Sequence, residues 1–320
     1  MNRKSIISLI IVTISLIFTI GCTREEENNI DKNKKEEVNN FLTIATGPTS
    51  GLYYPIGTSF AKVLKKVGYR TSVQSTGGSV ENINLILTKA ADLAIAMSDS
   101  VDQSKETKEL RALTGLYPNY VQLVTIKKNK IRKFEDLKGK RVGIGAFNSG
   151  VELNARMMYE AHGMSYEDSV VQYLNYGDAV EKMKNGLVDA IFVTSGIPNE
   201  TIMELKTDSD IVLVPITGKG MINLRKKYPF FVEDVIPAEI YGTDRDIKTV
   251  SVRNIMLVRK DLPEDVVYEI TKGIFDNIKS IKASHVTSKQ NISLENSQIG
   301  VKIPFHPGAI KYYKEQGVVK

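Results

Sequence analysis

The sequence contains a single cysteine among its 320 residues. A lone thiol cannot form an internal disulfide, so no disulfide framework supports this chain. Histidine is almost as scarce. The three that occur, His162, His285 and His306, are far apart and fit no metal-ligand spacing. We therefore expect neither a metal site nor a cofactor.

Common catalytic motifs are also absent from the sequence. It contains no G-x-S-x-G nucleophile elbow and no G-x-x-x-x-G-K phosphate loop. The one nucleophilic thiol, Cys22, precedes the predicted folded region. Because no reactive constellation is left, we predict that the protein is not an enzyme.

A basic stripe with interleaved aromatic residues is missing as well. The formal net charge is +6, but the basic residues are scattered. Pairs such as Lys65-Lys66, Lys127-Lys128 and Lys226-Lys227 are more typical of solvated faces than of a nucleic-acid surface. We expect no nucleic-acid partner.

The longest apolar run at the N-terminus is too short to span a membrane. It covers residues 6–20, against the roughly 20 residues that a spanning helix needs. Arg3 and Lys4 precede it and Gly21 follows, which is the pattern of a secretory signal over residues 1–21. A short anchor that is never cleaved remains the alternative.

Cys22 follows this signal directly and resembles the cysteine of a bacterial lipoprotein box. Acylation there would anchor the protein in the lipid bilayer, at the outer, extracytoplasmic face of the cell membrane. The rest of residues 22–40 is almost wholly polar and is predicted to be a disordered tether.

From Phe41 onward, apolar strand patterns alternate with helical patterns. This alternation predicts an α/β protein with a parallel sheet covered on both faces. Strands are predicted at 42–46, 71–75, 92–97, 141–145, 170–174 and 189–194, and helices at 52–67, 80–89, 151–162 and 177–185.

The second set of these elements repeats the first. Val73-Gln74 corresponds to Val171-Gln172, Val80-Glu81 to Val180-Glu181, and Asp92 to Asp189, at offsets of 98, 100 and 97 residues. The nearly constant offset favours a duplication. Chance similarity between two generic βαβ units is the alternative, and it also leaves two α/β lobes.

The chain must return to the first lobe, because the strand predicted at 250–258 and the helix after it have no place in the second. Lobe I is predicted to comprise 41–124 plus 249–320, and lobe II 125–248. Two parallel sheets would then be joined by a two-strand hinge, which makes a clamp that closes on a ligand. We expect a monomer.

In open α/β sheets, ligands bind beyond the carboxyl ends of the strands. Those ends are enriched here in small hydroxyls and glycine, which together with helix N-termini suit a carboxylate or phosphate. Ordinary helix capping is the alternative for each. The candidates are Thr49, Ser50, Gly51, Ser75, Thr76, Gly77, Gly78, Ser79, Asn148, Ser149, Gly150, Thr194 and Ser195.

A few larger side chains lie near the same strand ends. Tyr53, Tyr54 and Tyr117 could each wall the pocket or belong to the core. Asp99 could receive a ligand ammonium group or cap the segment after it. Arg156, about two turns into its helix, is interpreted as structural.

Several longer motifs resemble the TAXI family of TRAP transporter solute receptors. They are Ile44-Ala-Thr-Gly-Pro-Thr-Ser-Gly-Leu-Tyr-Tyr-Pro-Ile-Gly57, Gln74-Ser-Thr-Gly-Gly-Ser-Val-Glu-Asn82, Gly115-Leu-Tyr-Pro118, Asp136-Leu-Lys-Gly-Lys-Arg-Val142, Ser149-Gly150 with Asn154-Ala-Arg156, Asp189-Ala190 with Ser195-Gly-Ile-Pro198, Tyr228-Pro229-Phe230, Ile236-Pro237 and Ile303-Pro-Phe-His-Pro-Gly308. The resemblance covers residues 41–317.

This resemblance implies a type II periplasmic-binding-protein fold. It also implies a receptor that passes a small anionic solute, a glutamate-like amino acid or a dicarboxylate, to a TRAP membrane permease driven by an ion gradient. A receptor for an ABC importer shares the fold and is the alternative.

Overall fold

A computed structural model describes residues 40–319 of the chain. The predicted signal peptide, Cys22 and nearly all of the predicted tether lie outside this part. The strands are β1 Phe41–Ala45, β2 Arg70–Gln74, β3 Leu93–Met97, β4 Arg111–Ile126, β5 Arg141–Gly143, β6 Val170–Gln172, β7 Ala190–Ser195, β8 Ile211–Val214, β9 Val232–Ile236 and β10 Ile247–Val258.

The helices alternate with these strands along most of the chain. They are α1 Tyr53–Lys66, α2 Ser79–Leu87, α3 Ser98–Asp102, α4 Gly150–Ala161, α5 Tyr176–Lys184, α6 Glu200–Asp208, α7 Gly218–Lys227, α8 Ala238–Tyr241, α9 Glu264–Asp276, α10 Ile278–Lys282, α11 Val286–Asn291 and α12 Pro307–Glu315. Within residues 40–319, no helix combines the length and the apolar character that crossing a membrane requires.

Hydrogen bonds join the strands into one ten-stranded network in the order β2-β1-β3-β10-β4-β7-β5-β6, with β8 beside β4 and β9 beside β10. The strands β2-β1-β3 and β5-β6-β7 form two parallel segments, as predicted. The sequence predicted two parallel sheets joined by a two-strand hinge. In the structure, the long antiparallel strands β4 and β10 pair with each other and connect the two segments.

The two aspartates matched in the predicted duplication make equivalent hydrogen bonds. The Asp92 carboxylate accepts from the Thr43 amide at 2.8 Å, and the Asp189 carboxylate accepts from the Arg141 amide at 2.9 Å. In return, the amide of each aspartate donates to the carbonyl of the same strand residue. Asp92, just before β3, therefore bonds to β1 in the same way as Asp189, just before β7, bonds to β5.

Three groups of buried apolar side chains pack around this network. One surrounds β5, β7 and α4 and includes Phe134 and Phe192. A second lies between β1, α1 and α9, where Ile270 and Ile274 fall on the buried face of α9. A third, smaller group packs α2 against β3. The lobe boundaries at residues 124–125 and 248–249 stay a prediction.

Candidate functional site

Two adjoining cavities lie beyond the carboxyl ends of the strands, and their volumes are about 30 Å³ and about 40 Å³. Both are lined by Gly51, Leu52 and Ser195. The Glu200 cavity is also lined by Thr49, Ser50, Pro55, Pro198, Asn199, Glu200 and His285. The Asn119 cavity is also lined by Gly47, Pro48, Tyr53, Gly78, Asn119, Tyr176 and Thr194. Residues from both parallel segments of the sheet therefore face the same space.

Two buried polar atoms in the lining of the Asn119 cavity have no hydrogen-bond partner among the described residues. They are Oδ1 of Asn119 and Oγ1 of Thr194. Their residues are 2 % and 3 % exposed. A buried polar group without a partner costs about 1–3 kcal/mol, so both atoms are candidates to bond a solute in this cavity.

The N-terminus of α1 opens onto both cavities. Its cap residue, Leu52, offers no side-chain hydrogen bond, and its first turn contains no acidic residue. The first amide groups of a helix lack internal partners and carry a partial positive charge. An anion in either cavity would therefore meet an uncapped helix end.

The charges around the cavities are few. Among the lining residues that the structure describes, none is Lys or Arg. Burial lowers the pKa of His285 from its ordinary value, so its ring is neutral at pH 7. Glu200 is the acidic lining residue, and its side chain is exposed. An anionic group is thus better accommodated in the Asn119 cavity than beside Glu200.

Tyr53 lies at the centre of a buried hydrogen-bond network. Its hydroxyl donates to Oδ1 of Asn254 at 2.5 Å and lies 3.3 Å from Oγ of Ser79. Burial raises the pKa of this phenol well above its ordinary value, so the hydroxyl keeps its proton. Tyr53 thus links α1 to β10. The sequence left open whether Tyr53 lines the pocket or belongs to the core. It does both, because it also lines the Asn119 cavity.

The turn between β2 and α2 is held by its own hydroxyls. Ser75 donates to the Gly47 carbonyl at 3.0 Å, and Thr76 donates within a buried cluster that includes Asn82. The Gly77 amide donates to the Glu81 carboxylate at 2.6 Å. The groups that the sequence predicted for an anion therefore have internal partners here.

The turn between β5 and α4 shows the same behaviour. Oγ of Ser149 accepts the Glu152 amide at 3.1 Å, which is an ordinary helix cap. The Asn148 carbonyl accepts the Glu81 amide at 3.2 Å, so this turn contacts the first residues of α2. The two predicted turns thus come together, as expected, but they bond to each other.

Gly78 and Gly150 permit this close approach. Gly78 has φ of 120°, a conformation that strains other residues. A Cβ atom at Gly150 would lie 2.2 Å from the Met97 side chain and 2.9 Å from the Ser79 hydroxyl. Glycine at position 150 is what lets α4 pack against β3 and α2.

Asp99 lies in the first turn of α3 and is fully buried. Its Oδ2 accepts from Nδ2 of Asn154 on α4, and its Oδ1 has no partner among the described residues. Burial raises the pKa of this carboxyl to about 7. Asp99 does not line either cavity, so its predicted contact with a ligand ammonium stays a prediction.

Other candidates take structural positions. Arg156 forms a bidentate ion pair with Glu152 one turn earlier on α4, in agreement with its structural interpretation. Tyr117 is fully buried within the core around α1. Tyr54 does not line either cavity.

Sequence reasoning missed Asn119 and Tyr176. Asn119 lies inside β4, not after a strand, so a search of strand ends passes over it. Its signal is an amide in the middle of an apolar strand, and Asn254 interrupts β10 in the same way. Tyr176 opens α5 and donates to the Thr194 carbonyl at 2.8 Å, which orients the end of β7. No cluster of three or more potential metal ligands occurs in the part of the chain described here.

Comparison with known proteins extends this description. The model of the NMT1-like family matches residues 44–317. A structure from Bordetella bronchiseptica RB50 is 19% identical, with a TM-score of 0.54 over 87% of this chain and 81% of that one. PhnD1 from Prochlorococcus marinus (MIT 9301), in complex with methylphosphonate, is 14% identical, with a TM-score of 0.54 over 77% of this chain and 89% of that one.

A third structure, a putative L-cystine ABC transporter from Listeria monocytogenes, is 15% identical. Its TM-score is 0.51 over 79% of this chain and 98% of that one. At these identities the likeness shows the fold, and it confirms the predicted type II periplasmic-binding-protein fold.

Proposed function

Since this chain belongs to the NMT1-like family, we propose that it is an extracytoplasmic solute receptor that captures a small anionic solute, either a glutamate-like amino acid or a dicarboxylate. The observation that carries the proposal is the pair of adjoining cavities, which combine an uncapped α1 N-terminus with hydroxyl groups. Helix ends and hydroxyls hold carboxylates without a buried cation.

The hydroxyls of Thr194 and Ser195 are the proposed donors to the anion. Oγ1 of Thr194 has no partner within residues 40–319, and Oγ of Ser195 accepts from Nδ2 of Asn199 at 3.3 Å, which leaves its hydrogen available. Thr49 and Ser50 line the adjoining cavity and complete the set. Gly51, Tyr53 and Gly78 supply the remaining predicted wall.

The test combines binding with stability. Thr194→Val keeps the side-chain shape and removes an unpartnered hydroxyl, so the ligand-free protein should be as stable as the wild type or slightly more so. Binding of the solute should weaken about ten- to a hundred-fold, because a hydrogen bond to a charged group contributes about 1.5–3 kcal/mol. Ser195→Ala should weaken binding to a similar extent, but it also removes an acceptor of the Asn199 amide and should slightly destabilise the protein. Ser209→Ala, at the end of α6, is the control.

The alternative location for the anion is the junction of Ser75–Ser79 with Asn148–Gly150. There, Thr76→Ala and Ser149→Ala would weaken binding while Thr194→Val would not. Calorimetry with a panel of amino acids and dicarboxylates decides between the two, and a panel in which no acid binds would refute the anionic class.

For delivery, we propose a TRAP-type permease driven by an ion gradient, on the motifs that resemble TAXI receptors. An ABC importer is the alternative, and the likeness to a putative L-cystine ABC transporter from Listeria monocytogenes keeps it open. Uptake by reconstituted vesicles separates them. TRAP transport requires the receptor and an ion gradient without ATP, and ATP-dependent uptake would contradict it.

Attachment to the membrane is proposed through an acylated Cys22. Cys22→Ser should release the protein from the membrane fraction or leave the signal uncleaved. A correctly trimmed variant that stays with the membrane would refute this attachment.

A further inference from the structure

The orientation of the Asn119 side-chain amide is fixed by hydrogen bonds to groups outside the Asn119 cavity. The Tyr117 carbonyl can only accept a hydrogen bond, and Nδ2 of Asn254 donates to it at 2.8 Å. The orientation of the Asn254 amide is therefore determined, and its Oδ1 must be an acceptor.

That acceptor in turn orients Asn119. Nδ2 of Asn119 donates to Oδ1 of Asn254 at 3.1 Å, so the group left over on Asn119 is its carbonyl oxygen. A flipped Asn119 amide would bring two acceptor oxygens together. Oδ1 of Asn119 is consequently a fixed acceptor, buried and without a partner among the described residues.

The hydrogen bonds at the Met97 end of this network also run toward Asn254. The Met97 amide can only donate, and it donates to Oγ of Ser79 at 3.1 Å. Ser79 then has its hydrogen for the Tyr53 oxygen, and Tyr53 donates to Oδ1 of Asn254. Because Tyr53 gives its one hydrogen to Oδ1 of Asn254, the hydrogen in its contact with Ser79 comes from Ser79, and no bond in this chain supplies a hydrogen to Asn119.

We infer that Oδ1 of Asn119 accepts a hydrogen bond from a donor on the solute. The site should therefore bind an acid that carries an ammonium or hydroxyl group more tightly than a plain dicarboxylate. A plain dicarboxylate at neutral pH offers acceptors only and would leave this oxygen unpaired. This inference rests on the proposed function and narrows its substrate class. It does not depend on which transporter is served.

The physical basis is the cost of an unmade bond. A buried acceptor that a ligand fails to satisfy loses its hydration and gains nothing, and sites built around such groups discriminate strongly between matched ligands. One such bond corresponds to about a ten- to hundred-fold difference in affinity.

The experiment compares matched pairs by calorimetry: glutamate with glutarate, aspartate with succinate, and malate with succinate. In the wild type, the member with the donor should bind about ten- to a hundred-fold more tightly. In Asn119→Leu this preference should vanish, because the acceptor is gone. Oδ1 of Asn254 still has the Tyr53 hydroxyl, so its pairing survives the change.

Two further variants locate the effect. Asn223→Leu removes an amide that donates to the Ala161 carbonyl, away from both cavities, and should keep the preference. Glu200→Gln tests the rival acceptor in the adjoining cavity. A preference that persists in Asn119→Leu or disappears in Glu200→Gln overturns the inference.

The same panel separates the inference from the proposed function. If acids with and without a donor group bind with equal affinity, the inference is refuted and the proposed anion receptor is kept. If amines without a carboxylate, such as ethanolamine, are the only compounds that bind, and their binding requires Asn119, the anionic class is refuted. The role of Asn119 as an acceptor is then kept. Binding by no compound in the panel would overturn both.

Discussion

Nδ2 of Asn154 donates to Oδ2 of Asp99 across 2.5 Å and thereby joins α4 to the first turn of α3. The carboxylate is 0 % exposed, and burial is the main reason that its pKa is raised to about 7. The hydrogen bonds from Asn154 and from the Ser100 amide act in the opposite direction, and the negative charge of Asp102 adds a little to the rise.

The raised pKa of Asp99 predicts an unusual pH dependence of stability. Between the ordinary value of 3.8 and about 7, the folded protein keeps a proton that the unfolded chain has released. Stability contributed by this group is therefore lost as the pH rises through that window, at up to about 1.4 kcal/mol per pH unit. Asp99→Asn, which imitates the protonated carboxyl, should remove this slope in urea unfolding curves. Asp210→Asn, at an exposed site, is the control, and an unchanged slope in Asp99→Asn would contradict the prediction.

A methyl group at Gly150 should hold the two sides of the cavities apart. It would meet the Met97 side chain and the hydroxyls of Ser79 and Ser100, all on the opposite side. Gly150→Ala should therefore weaken solute binding and increase the radius of gyration in small-angle scattering with ligand present.

Gly177→Ala provides the matched control, since this glycine also lies in the first turn of a helix and a methyl group there makes only ordinary contacts. Equal radii for the two variants at saturating ligand would rule out a closing movement limited by Gly150.

Tyr241→Phe should destabilise the turn that leads into α6. The Tyr241 hydroxyl accepts the Asn199 amide at 2.7 Å and donates to Oε1 of Gln122 at 2.7 Å. Its removal leaves two buried groups without this partner, at a cost of about 1–3 kcal/mol in unfolding free energy. Tyr173→Phe, at an exposed site, should change nothing. Equal denaturation midpoints for the two variants would contradict the prediction.

Acid should weaken the second parallel segment through Asp189. The guanidinium of Arg141, at 2.6 Å, is the main cause that lowers the pKa of this carboxyl below its ordinary value. Stability from the pair is present above the ordinary pKa and is lost as the pH falls through the lowered one. Asp189→Asn should therefore unfold more easily at neutral pH and show a shallower decline in acid, as followed by circular dichroism. A decline as steep as in the wild type would contradict this.

The order of strands and helices could be predicted from the sequence, because apolar residues recur with a different spacing in buried strands and in helices. The predicted strands at 42–46 and 92–97 lie within one residue of β1 and β3. Helices α11 and α12 were not predicted, because α11 is short and α12 packs against elements that are distant in sequence.

The site was predicted in part for a physical reason. Strand ends are visible in a sequence, so Thr194, Ser195 and Gly51 were found. Which hydroxyl is already engaged depends on tertiary contacts, so the internal bonds of Thr76 and Ser149 could not be foreseen. Asn119 was hidden for the same reason, since its free oxygen is defined only by its pairing with Asn254.

Strands β4 and β10 have a mechanical consequence. Both passages of the chain between the parallel segments are paired strands, and the pairing runs from Val258 with Arg111 to Ser251 with Tyr120. Thr249 then donates to the Val121 carbonyl, which continues the contact across the crossing. Because the two strands are hydrogen-bonded to each other, we expect any opening of the cavities to bend them together as one ribbon. A single pair of distance labels, one on α2 and one on α5, would then report the whole movement.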